Sequence, residues 1–316
     1  MMNRGWAWLP WLIVLLMVPC LVRVFRDMSW TRHDVDVFEY CGAAEAASIV
    51  PDATTSLGLL AHYSLDTALD ANLLEYIRQL AAEFEVFVLL TNRRDIRNVG
   101  DLPANCRLVF VPNQGLDIGK WMWLLHNLRL PRLERLGLFN DTTFVVGDMR
   151  PFFDKAKAWD VWGMTSSTEQ IPHIQSYLLV ADSPAAAAHL LGFFNGTTMD
   201  HTVSPAYSKH DLVLEFELGL SRHMASRFEL HAFYSLDDVL RVVPRRQDAN
   251  ENAVVYYWDV LLRLGCPLLK KLRRRVVEGP ALLATIDPRY AATLSADALD
   301  AQTFLEYKWW KKGKYD

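Results

Sequence analysis

The sequence predicts an α/β protein in which helices flank a mainly parallel β-sheet. Strand-like apolar runs alternate with helical patterns from residue 57 to residue 226, and this alternation is typical of a parallel sheet. Hydrophobic residues make up 51% of the 316-residue chain and charged residues 22%, so the chain can bury a large core. Polar side chains follow several of the apolar runs, at the sheet edge where such folds bind ligands.

The first half of the predicted sheet contains three strands and two helices. We expect strands at 57–64, 85–92 and 106–113, and helices at 70–84 and 119–129. The helix at 70–84 is the clearest, because five apolar residues recur on one helical face. They are Leu73, Leu74, Ile77, Leu80 and Ala81, and Asp70 stands before them as an expected N-cap.

The second half continues the alternation. A strand begins in 135–147, further strands are expected at 158–167 and 173–181, and helices at 182–194 and 208–226. The helix at 182–194 has a Ser-Pro start, which is favoured at helix N-termini. Within 173–181, period-two alternation places His173, Gln175 and Tyr177 on one strand face and Ile174 and Ser176 on the other.

The N-terminal region has the character of a membrane-associated segment. Residues 6–22 carry no charge, and Arg4 and Arg23 flank them. We expect residues 1–26 to form a single membrane anchor or an interfacial helix; a cleaved signal peptide is the rival interpretation. Arginines on both sides leave the orientation open, with some preference for a cytoplasmic catalytic domain.

The rest of the chain divides into three predicted parts. Residues 27–56 have the mixed pattern of a stalk, residues 57–245 form the main domain, and residues 246–316 form a helical C-terminal extension rich in basic and aromatic residues. The Trp309-Trp310 pair with its lysines is typical of a membrane interface. The basic run at 270–275, with aromatics before it, fits a membrane surface or a phosphate-bearing acceptor, and an exposed, solvated face is at least as strong an interpretation.

Composition limits the classes of function. The formal net charge of −4 gives no support to a nucleic-acid partner, and we expect none. The four cysteines are Cys20, Cys41, Cys106 and Cys266. They lack the spacing of a zinc site or a disulfide framework, so we expect free thiols. No dinucleotide fingerprint, P-loop, nucleophile elbow or metalloprotease helix occurs in the sequence.

Three polar segments follow predicted strands and are candidates for a binding site. They are His62-Tyr63, the turn from Asn113 to Lys120, and Asn140-Asp141-Thr142. The turn with Gly115 and Gly119 is either an anion cradle at a helix N-terminus or a tight turn capped by Asp117, and the two interpretations are evenly matched.

The segment Asn140-Asp141-Thr142 is the sharper signal. A carboxylate at the end of a strand can hold a divalent cation that bridges a diphosphate, whereas the simpler interpretation is an Asx-turn that closes the strand. A literal Asp-x-Asp at Asp34–Asp36 lies in the predicted stalk and is discounted. In the helix at 208–226, Glu215 and Glu217 point to different faces, and an inward-facing one could act as a base.

Six segments together resemble the rhamnan synthesis protein F family of glycosyltransferases. They cover about residues 57 to 272 in family order: NQGLDIGKW (113–121), LFNDTTF (138–144), WDVWGMT (159–165), HIQSYLLV (173–180), EFELGLS (215–221) and YYWDVLLRLGCPLLK (256–270). The resemblance implies a GT-A-like (Rossmann-like) fold and a hexosyltransferase, with rhamnose as the first guess. It further implies a nucleotide-sugar donor, and a glycan or lipid-linked glycan acceptor in surface polysaccharide synthesis.

The resemblance also implies roles for individual residues. Catalysis falls to Glu217, His173 and Asp141, and Asp141 is also the expected ligand of a divalent metal, Mn or Mg. Donor contacts fall to seven residues: His62, Tyr63, Asn113, Gly115, Asp117, Lys120 and Asn140. Gln175 and Trp162 are expected at the acceptor or the sugar. The segment at 140–142 departs from a full Asp-x-Asp because it has one carboxylate.

Two other functions remain open from the sequence. One is a membrane-tethered glycan-binding or assembly protein with a transferase-like fold and no activity. The other is a phosphate-ester hydrolase that uses Asp141 as its nucleophile.

Overall fold

A computed structural model describes residues 46, 48–111, 113–197, 209–245, 252–271 and 286–294. The strands among them are β1 Ser56–His62, β2 Val86–Thr91, β3 Cys106–Phe110, β4 Arg135–Asn140, β5 Thr143–Val145, β6 Val161–Ser167, β7 His173–Ile174, β8 Leu178–Ala181, β9 Leu230–Tyr234 and β10 Leu268–Lys270. The α-helices are α1 Ala71–Ala81, α2 Leu116–Leu125, α3 Arg150–Ala156, α4 Pro184–Gly196, α5 Lys209–Leu212, α6 Leu218–Ala225, α7 Leu236–Leu240, α8 Ala253–Tyr256, α9 Trp258–Arg263 and α10 Pro288–Ala291.

Eight of the described strands form one sheet, which confirms the mixed α/β fold with a mainly parallel centre. The strand order is β3-β2-β1-β4-β8-β6-β7, and β9 pairs with β6. The four strands β3, β2, β1 and β4 run parallel to one another. The strand β8 lies between β4 and β6 and runs antiparallel to both. The strand order reverses between β1 and β4, and open α/β sheets bind ligands at such a point, beyond the carboxyl ends of the strands.

Helices cover both faces of this sheet. Successive residues of β1 belong to different cores. Leu60 packs with α1 in the first core, whereas Leu59 packs with α2 and α4 in the second core. A strand with both faces buried has apolar side chains in sequence rather than in alternation, and β1 has that pattern. Each fully buried leucine of this kind contributes about 1.5–3 kcal/mol to stability.

Two helix starts confirm their predicted caps. The Asp70 carboxylate accepts a hydrogen bond from Leu73 N at 2.7 Å, and the Ser183 hydroxyl accepts one from Ala186 N at 3.3 Å, with Pro184 at the first helical position. Such caps are each worth about 1 kcal/mol. They fix where α1 and α4 leave the strands that precede them.

A pair of strand glycines makes room for aromatic rings. Gly58 of β1 lies opposite Gly137 of β4. A Cβ at Gly58 would lie 2.6 Å from the Phe87 ring, and one at Gly137 would lie 2.5 Å from the Phe84 ring. Phe84 also meets Phe139 edge-on, with centroids 5.7 Å apart, a favourable arrangement for two rings. The glycines therefore serve close packing of the first core.

Two elements differ from their sequence predictions. The strand expected at 173–181 is interrupted by a turn at residues 175–177, so strict alternation fails there. The helix expected at 208–226 contains a π-helical segment, Val213–Glu217, in which Leu218 N donates to the Val213 carbonyl. Hydrophobic periodicity does not detect a single extra residue per turn, which is what a π segment adds.

The predicted domain boundaries stay predictions. Ala46 and Val50, from the region assigned to the stalk, are fully buried in the second core. The described part of the C-terminal region contributes Val254, Leu261 and Leu268 to the first core. Residues 1–26, the expected anchor, lie outside the described residues. Within the described residues, no helix has both the length and the apolar character needed to cross a membrane.

Candidate functional site

A cavity of about 480 Å³ opens where the strand order reverses, a volume within the usual range of ligand pockets. Its walls come from the ends of β1 and β4, the start of α2, the turn before β8, the π segment and the end of β10. The lining residues are Tyr63, Gly115, Leu116, Asp117, Ile118, Asn140, Asp141, Thr142, Ser176, Leu212, Val213, Glu217, Lys270 and Lys271. The structure therefore brings all three predicted strand-end segments to one place.

The turn before α2 has a strained backbone at the cavity wall. Gly115 has φ 66° and Leu116 has φ 55°, both in the left-handed region that non-glycine residues rarely adopt. Leu116 is partly exposed and lines the cavity. Strain of this kind often accompanies a ligand-binding turn. The N-cap position of α2 is Gly115, which has no side chain, and Asp117 lies in the first turn of the helix.

The two glycines of this turn have different structural reasons. Gly115 supplies the positive φ. Gly119 lies inside α2, and a Cβ there would come within 1.9 Å of the Gln114 backbone oxygen. Only glycine allows the Gln114 carbonyl to fold over the first turn of the helix, so Gly119 shapes the turn and is not among the residues that line the cavity.

A chain of hydrogen bonds connects three segments at the floor of the cavity. Lys270 Nζ donates to Thr142 Oγ1 at 2.6 Å, and the Thr142 hydroxyl donates to Asn140 Oδ1 at 2.5 Å. Asn140 Nδ2 then donates to Asp117 Oδ2 at 2.7 Å. Each group donates in the direction from the cation towards the carboxylate, and such an alignment strengthens the individual bonds. Thr142 N also donates to Asn140 Oδ1 at 3.2 Å. The Asx-turn is therefore present, and its residues also line the cavity.

Asp141 is held at the end of β1. Tyr63 N donates to its Oδ2 at 3.0 Å, and His62 Nε2 lies 3.8 Å from the same oxygen. His62 also bonds Thr91 Oγ1 through Nδ1 at 3.0 Å. Burial lowers the pKa of His62, Asp141 opposes this, and the nearby Lys271 and Lys120 lower it further. His62 is therefore a neutral neighbour of Asp141 at pH 7.

Glu217 lines the cavity from a different element, the end of the π segment. Its Oε1 accepts bonds from the Ser176 hydroxyl at 2.8 Å and the Ser176 backbone N at 3.2 Å. Phe216 is buried and Glu215 is exposed, so only the second of the two glutamates faces the site. The turn at 175–177 that interrupts the strand is what places Ser176 there.

Six predicted site residues lie outside the cavity lining: His62, Asn113, Lys120, Trp162, His173 and Gln175. Trp162 has no exposed surface, and its indole packs in the first core with Nε1 directed at Asp182, 3.4 Å away. The expectation that it contacts a sugar is corrected: the ring is part of the core. His173 is buried in β7 and donates through Nδ1 to the Ile171 carbonyl at 2.8 Å.

Gln175 and Lys120 are also buried, and neither lines the cavity. Gln175 Oε1 accepts from Thr165 at 2.7 Å in a buried polar group. Lys120 is fully buried, donates to Asn113 Oδ1, and lies 5.8 Å from the ring centroid of Tyr63. Asn113 is absent from the lining as well. Lys120 thus adds positive charge next to the cavity without reaching its surface.

Several lining residues escaped prediction from the sequence. Lys270 and Lys271 belong to the basic run at 270–275, which was not assigned to the donor site. Ser176 was predicted on the strand face opposite to His173, Gln175 and Tyr177. Lys270 lies 128 residues from its partner Thr142. The apolar run before the lysines, Leu268–Leu269, was the signal of a short strand that carries them inwards.

The donor set at the cavity suits a metal that is shared with a substrate. Within the described chain, no group of three or more His, Cys, Asp or Glu residues is arranged to hold a metal ion. Three carboxylates, Asp117, Asp141 and Glu217, line the cavity, and one oxygen of each accepts a hydrogen bond. Mg²⁺ commonly binds one or two carboxylates together with substrate phosphates. The residues fit that arrangement and do not form a cage of protein ligands alone.

No family model matches the sequence, and no curated protein matches it significantly. Among solved structures, the chain is similar to HddC from Yersinia pseudotuberculosis, at 8% identity and a TM-score of 0.31, over 49% of this chain and 87% of that one. It is also similar to the glycosyltransferase GlyE from Streptococcus pneumoniae TIGR4, at 11% identity and a TM-score of 0.37, over 82% of this chain and 64% of GlyE.

A third similar structure is the bifunctional glycosyltransferase WbbM, at 10% identity and a TM-score of 0.30, over 58% of this chain and 39% of WbbM. The chain thus spans less than two thirds of GlyE and of WbbM. Two of the three similar structures are glycosyltransferases, but likenesses this distant carry no functional argument. The function has to be argued from the cavity.

Proposed function

We propose that this protein is a glycosyltransferase that moves a sugar from a nucleoside-diphosphate donor to a glycan acceptor. The observation that carries the proposal is the cavity where the strand order reverses, which Asp141 lines from the end of β4 and Glu217 from the π segment. Sheets of this kind bind nucleotides at that position. Two carboxylates on different walls can divide the work between leaving group and nucleophile.

The charges of the cavity support a donor that arrives with a divalent cation. The lining contains the carboxylates of Asp117, Asp141 and Glu217 and the ammonium groups of Lys270 and Lys271. Three negative and two positive groups would not attract a diphosphate by net charge. A Mg²⁺ or Mn²⁺ ion held by Asp141 and the donor phosphates would reverse the balance and would stabilise charge on the leaving diphosphate.

Glu217 is the proposed general base. Its carboxylate would take the proton of an acceptor hydroxyl as that oxygen bonds to the sugar carbon, while the bond from that carbon to the diphosphate breaks. Ser176 donates twice to Oε1 and so fixes the orientation of the carboxylate. A base held in this way contributes about 10²–10⁴-fold to rate.

The finer features of the proposal depend on the resemblance to the rhamnan synthesis protein F family. They are rhamnose as the transferred sugar, a lipid-linked or growing surface glycan as the acceptor, and attachment to the membrane through residues 1–26. The six ordered segments between residues 57 and 272 support them. Five of those segments supply lining residues of the cavity: 113–121, 138–144, 173–180, 215–221 and 256–270.

Sugar transfer by the full-length protein tests the proposal. A panel of nucleotide-sugars is offered with Mn²⁺ and a glycan acceptor, and Glu217→Gln is compared with Glu215→Gln. The control residue is exposed in the same π segment. We expect Glu217→Gln to lower kcat by about 10²-fold or more and Glu215→Gln to leave it within about twofold.

Full transfer by Glu217→Gln would refute the assignment of the base. Nucleotide-sugar binding without transfer by the wild-type protein would instead favour the non-catalytic alternative. That alternative has one observation behind it, the thin set of metal ligands within the described residues. Thermal stabilisation by the nucleotide-sugar would report the binding, because stabilisation grows with the ratio of ligand concentration to Kd.

A further inference from the structure

We propose that Lys270 and Lys271 bind the diphosphate of the donor, so that the C-terminal part of the chain supplies the cationic wall of the site. The inference rests on the proposed function, because it names the ligand group that these lysines recognise. Its basis is the place to which β10 brings the two side chains.

Backbone pairing fixes both lysines beside the end of β4. The strand β10 pairs antiparallel with β5, and Lys270 lies opposite Thr143. The pairing extends one residue further, because Lys271 N donates to the Thr142 carbonyl at 2.9 Å. Both lysines therefore stand next to the segment that follows Asp141 in the chain, and both line the same cavity as Asp141.

The surroundings of the two ammonium groups favour binding of a phosphate. Lys270 Nζ lies 5.3 Å from the ring centroid of Tyr177, and Lys271 Nζ lies 5.1 Å from that of Phe144. Both side chains are half-buried, so solvent screens their charge less than at an open surface. An ammonium has three donors, so the bond of Lys270 to Thr142 is compatible with a further bond to an anion.

A diphosphate matches this wall better than a carboxylate does. Two cations line one cavity, and a ligand with at least two negative charges can meet both of them. Lysine is a common phosphate ligand as a compact point charge. The positive field reaches the other side of the site, since Lys271 contributes to the lowered pKa of His62. The phosphates would then lie between the two lysines and Asp141.

Binding of inorganic pyrophosphate to the full-length protein in saturating Mg²⁺, measured by calorimetry, tests the contribution of the lysines, because the proposed donor arrives with a divalent cation. The variants are Lys270→Met, Lys271→Met and Lys271→Arg, with Lys157→Met as the control for a lost charge. Lys157 lies outside the cavity, paired with Asp154, and its side chain is 63% exposed. We expect each cavity Lys→Met change to weaken pyrophosphate binding about tenfold or more. Lys271→Arg should stay within about threefold of wild type, and Lys157→Met should leave binding unchanged.

Equal pyrophosphate affinity in wild type and Lys271→Met, or no binding by wild type, would overturn the inference. Lys271→Met keeps the backbone bond to Thr142, so it carries the test even if Lys270→Met fails to fold. Sugar transfer is measured on the same proteins. Transfer with unchanged pyrophosphate affinity would refute the role of the lysines and leave the transferase standing, whereas lysine-dependent binding without transfer would refute the transferase alone.

Discussion

Replacing Gly119 by alanine should destabilise the protein, although alanine is the better helix former. The new Cβ would lie 1.9 Å from the Gln114 backbone oxygen. Because real Cβ atoms essentially never approach closer than 3.0 Å, the two groups must separate by about 1.1 Å. The obstacle is backbone, and α2 is buried from Ile118 to Leu125. Neither side can yield without moving the turn that lines the cavity.

The net effect follows from two opposing contributions. Helix propensity favours alanine over glycine by about 1 kcal/mol, whereas a forced displacement in a packed region costs about 1–3 kcal/mol or more. Because the obstacle is backbone, the displacement cost lies in the upper part of that range. We therefore expect a net loss of about 1–2 kcal/mol in the free energy of unfolding. The control is Gly192, an exposed glycine inside α4 with no neighbouring atom within 4 Å of a new Cβ. There the propensity acts alone, and alanine should stabilise by about 0.5–1 kcal/mol.

Thermal and urea denaturation of the two variants measure the difference. In a protein of this size 1 kcal/mol shifts Tm by about 2–4 °C. Gly119→Ala should therefore melt several degrees below wild type and Gly192→Ala slightly above it. A Gly119→Ala variant as stable as Gly192→Ala would refute the reasoning, because it would mean that the Gln114 carbonyl is free to move.

Three further predictions follow from single contacts. Thr142→Val should lower the free energy of unfolding by about 1–3 kcal/mol, since Lys270 loses its partner; Thr142→Ser, which keeps the hydroxyl, should match wild type in urea titrations. Asn72→Ala should cost about 2–4 kcal/mol in the same assay, because the buried amide bonds both the N–H and the carbonyl of Val145, at 3.0 and 2.8 Å. Burial raises the pKa of Cys266 to about 12, so this thiol should resist a disulfide reagent at pH 8 and react only after denaturation, as read by mass spectrometry.

Local signals in the sequence were sufficient for most of the fold. The apolar face of α1 and the Asp70 cap were predicted and confirmed, because both depend on residues within one helical turn of each other. The strands before His62 and Asn140 were predicted for a similar reason: an apolar run followed by polar residues marks a buried strand and its end. Their meeting in one cavity followed from the rule that parallel strands end at the same edge.

The features that escaped prediction depend on contacts distant in sequence. Nothing near Lys270 indicates that it lies against Thr142, because that contact is made through pairing of β10 with β5. Trp162 was expected at the sugar because tryptophan serves both cores and binding sites; only its burial decides between them. The alternation around Ser176 predicted the wrong face, since a strand pattern does not report a turn within it.

The hydrogen-bond chain changes how the acidic residues of the cavity should be counted. Lys270, Thr142, Asn140 and Asp117 form one aligned series of hydrogen bonds, so Asp117 is linked to a cation within the protein. Asp141 and Glu217 stand outside that series and line the cavity from different elements, the end of β4 and the π segment. Under the proposed function, a cation-bound diphosphate at Asp141 and an acceptor hydroxyl at Glu217 would therefore each meet a separate carboxylate.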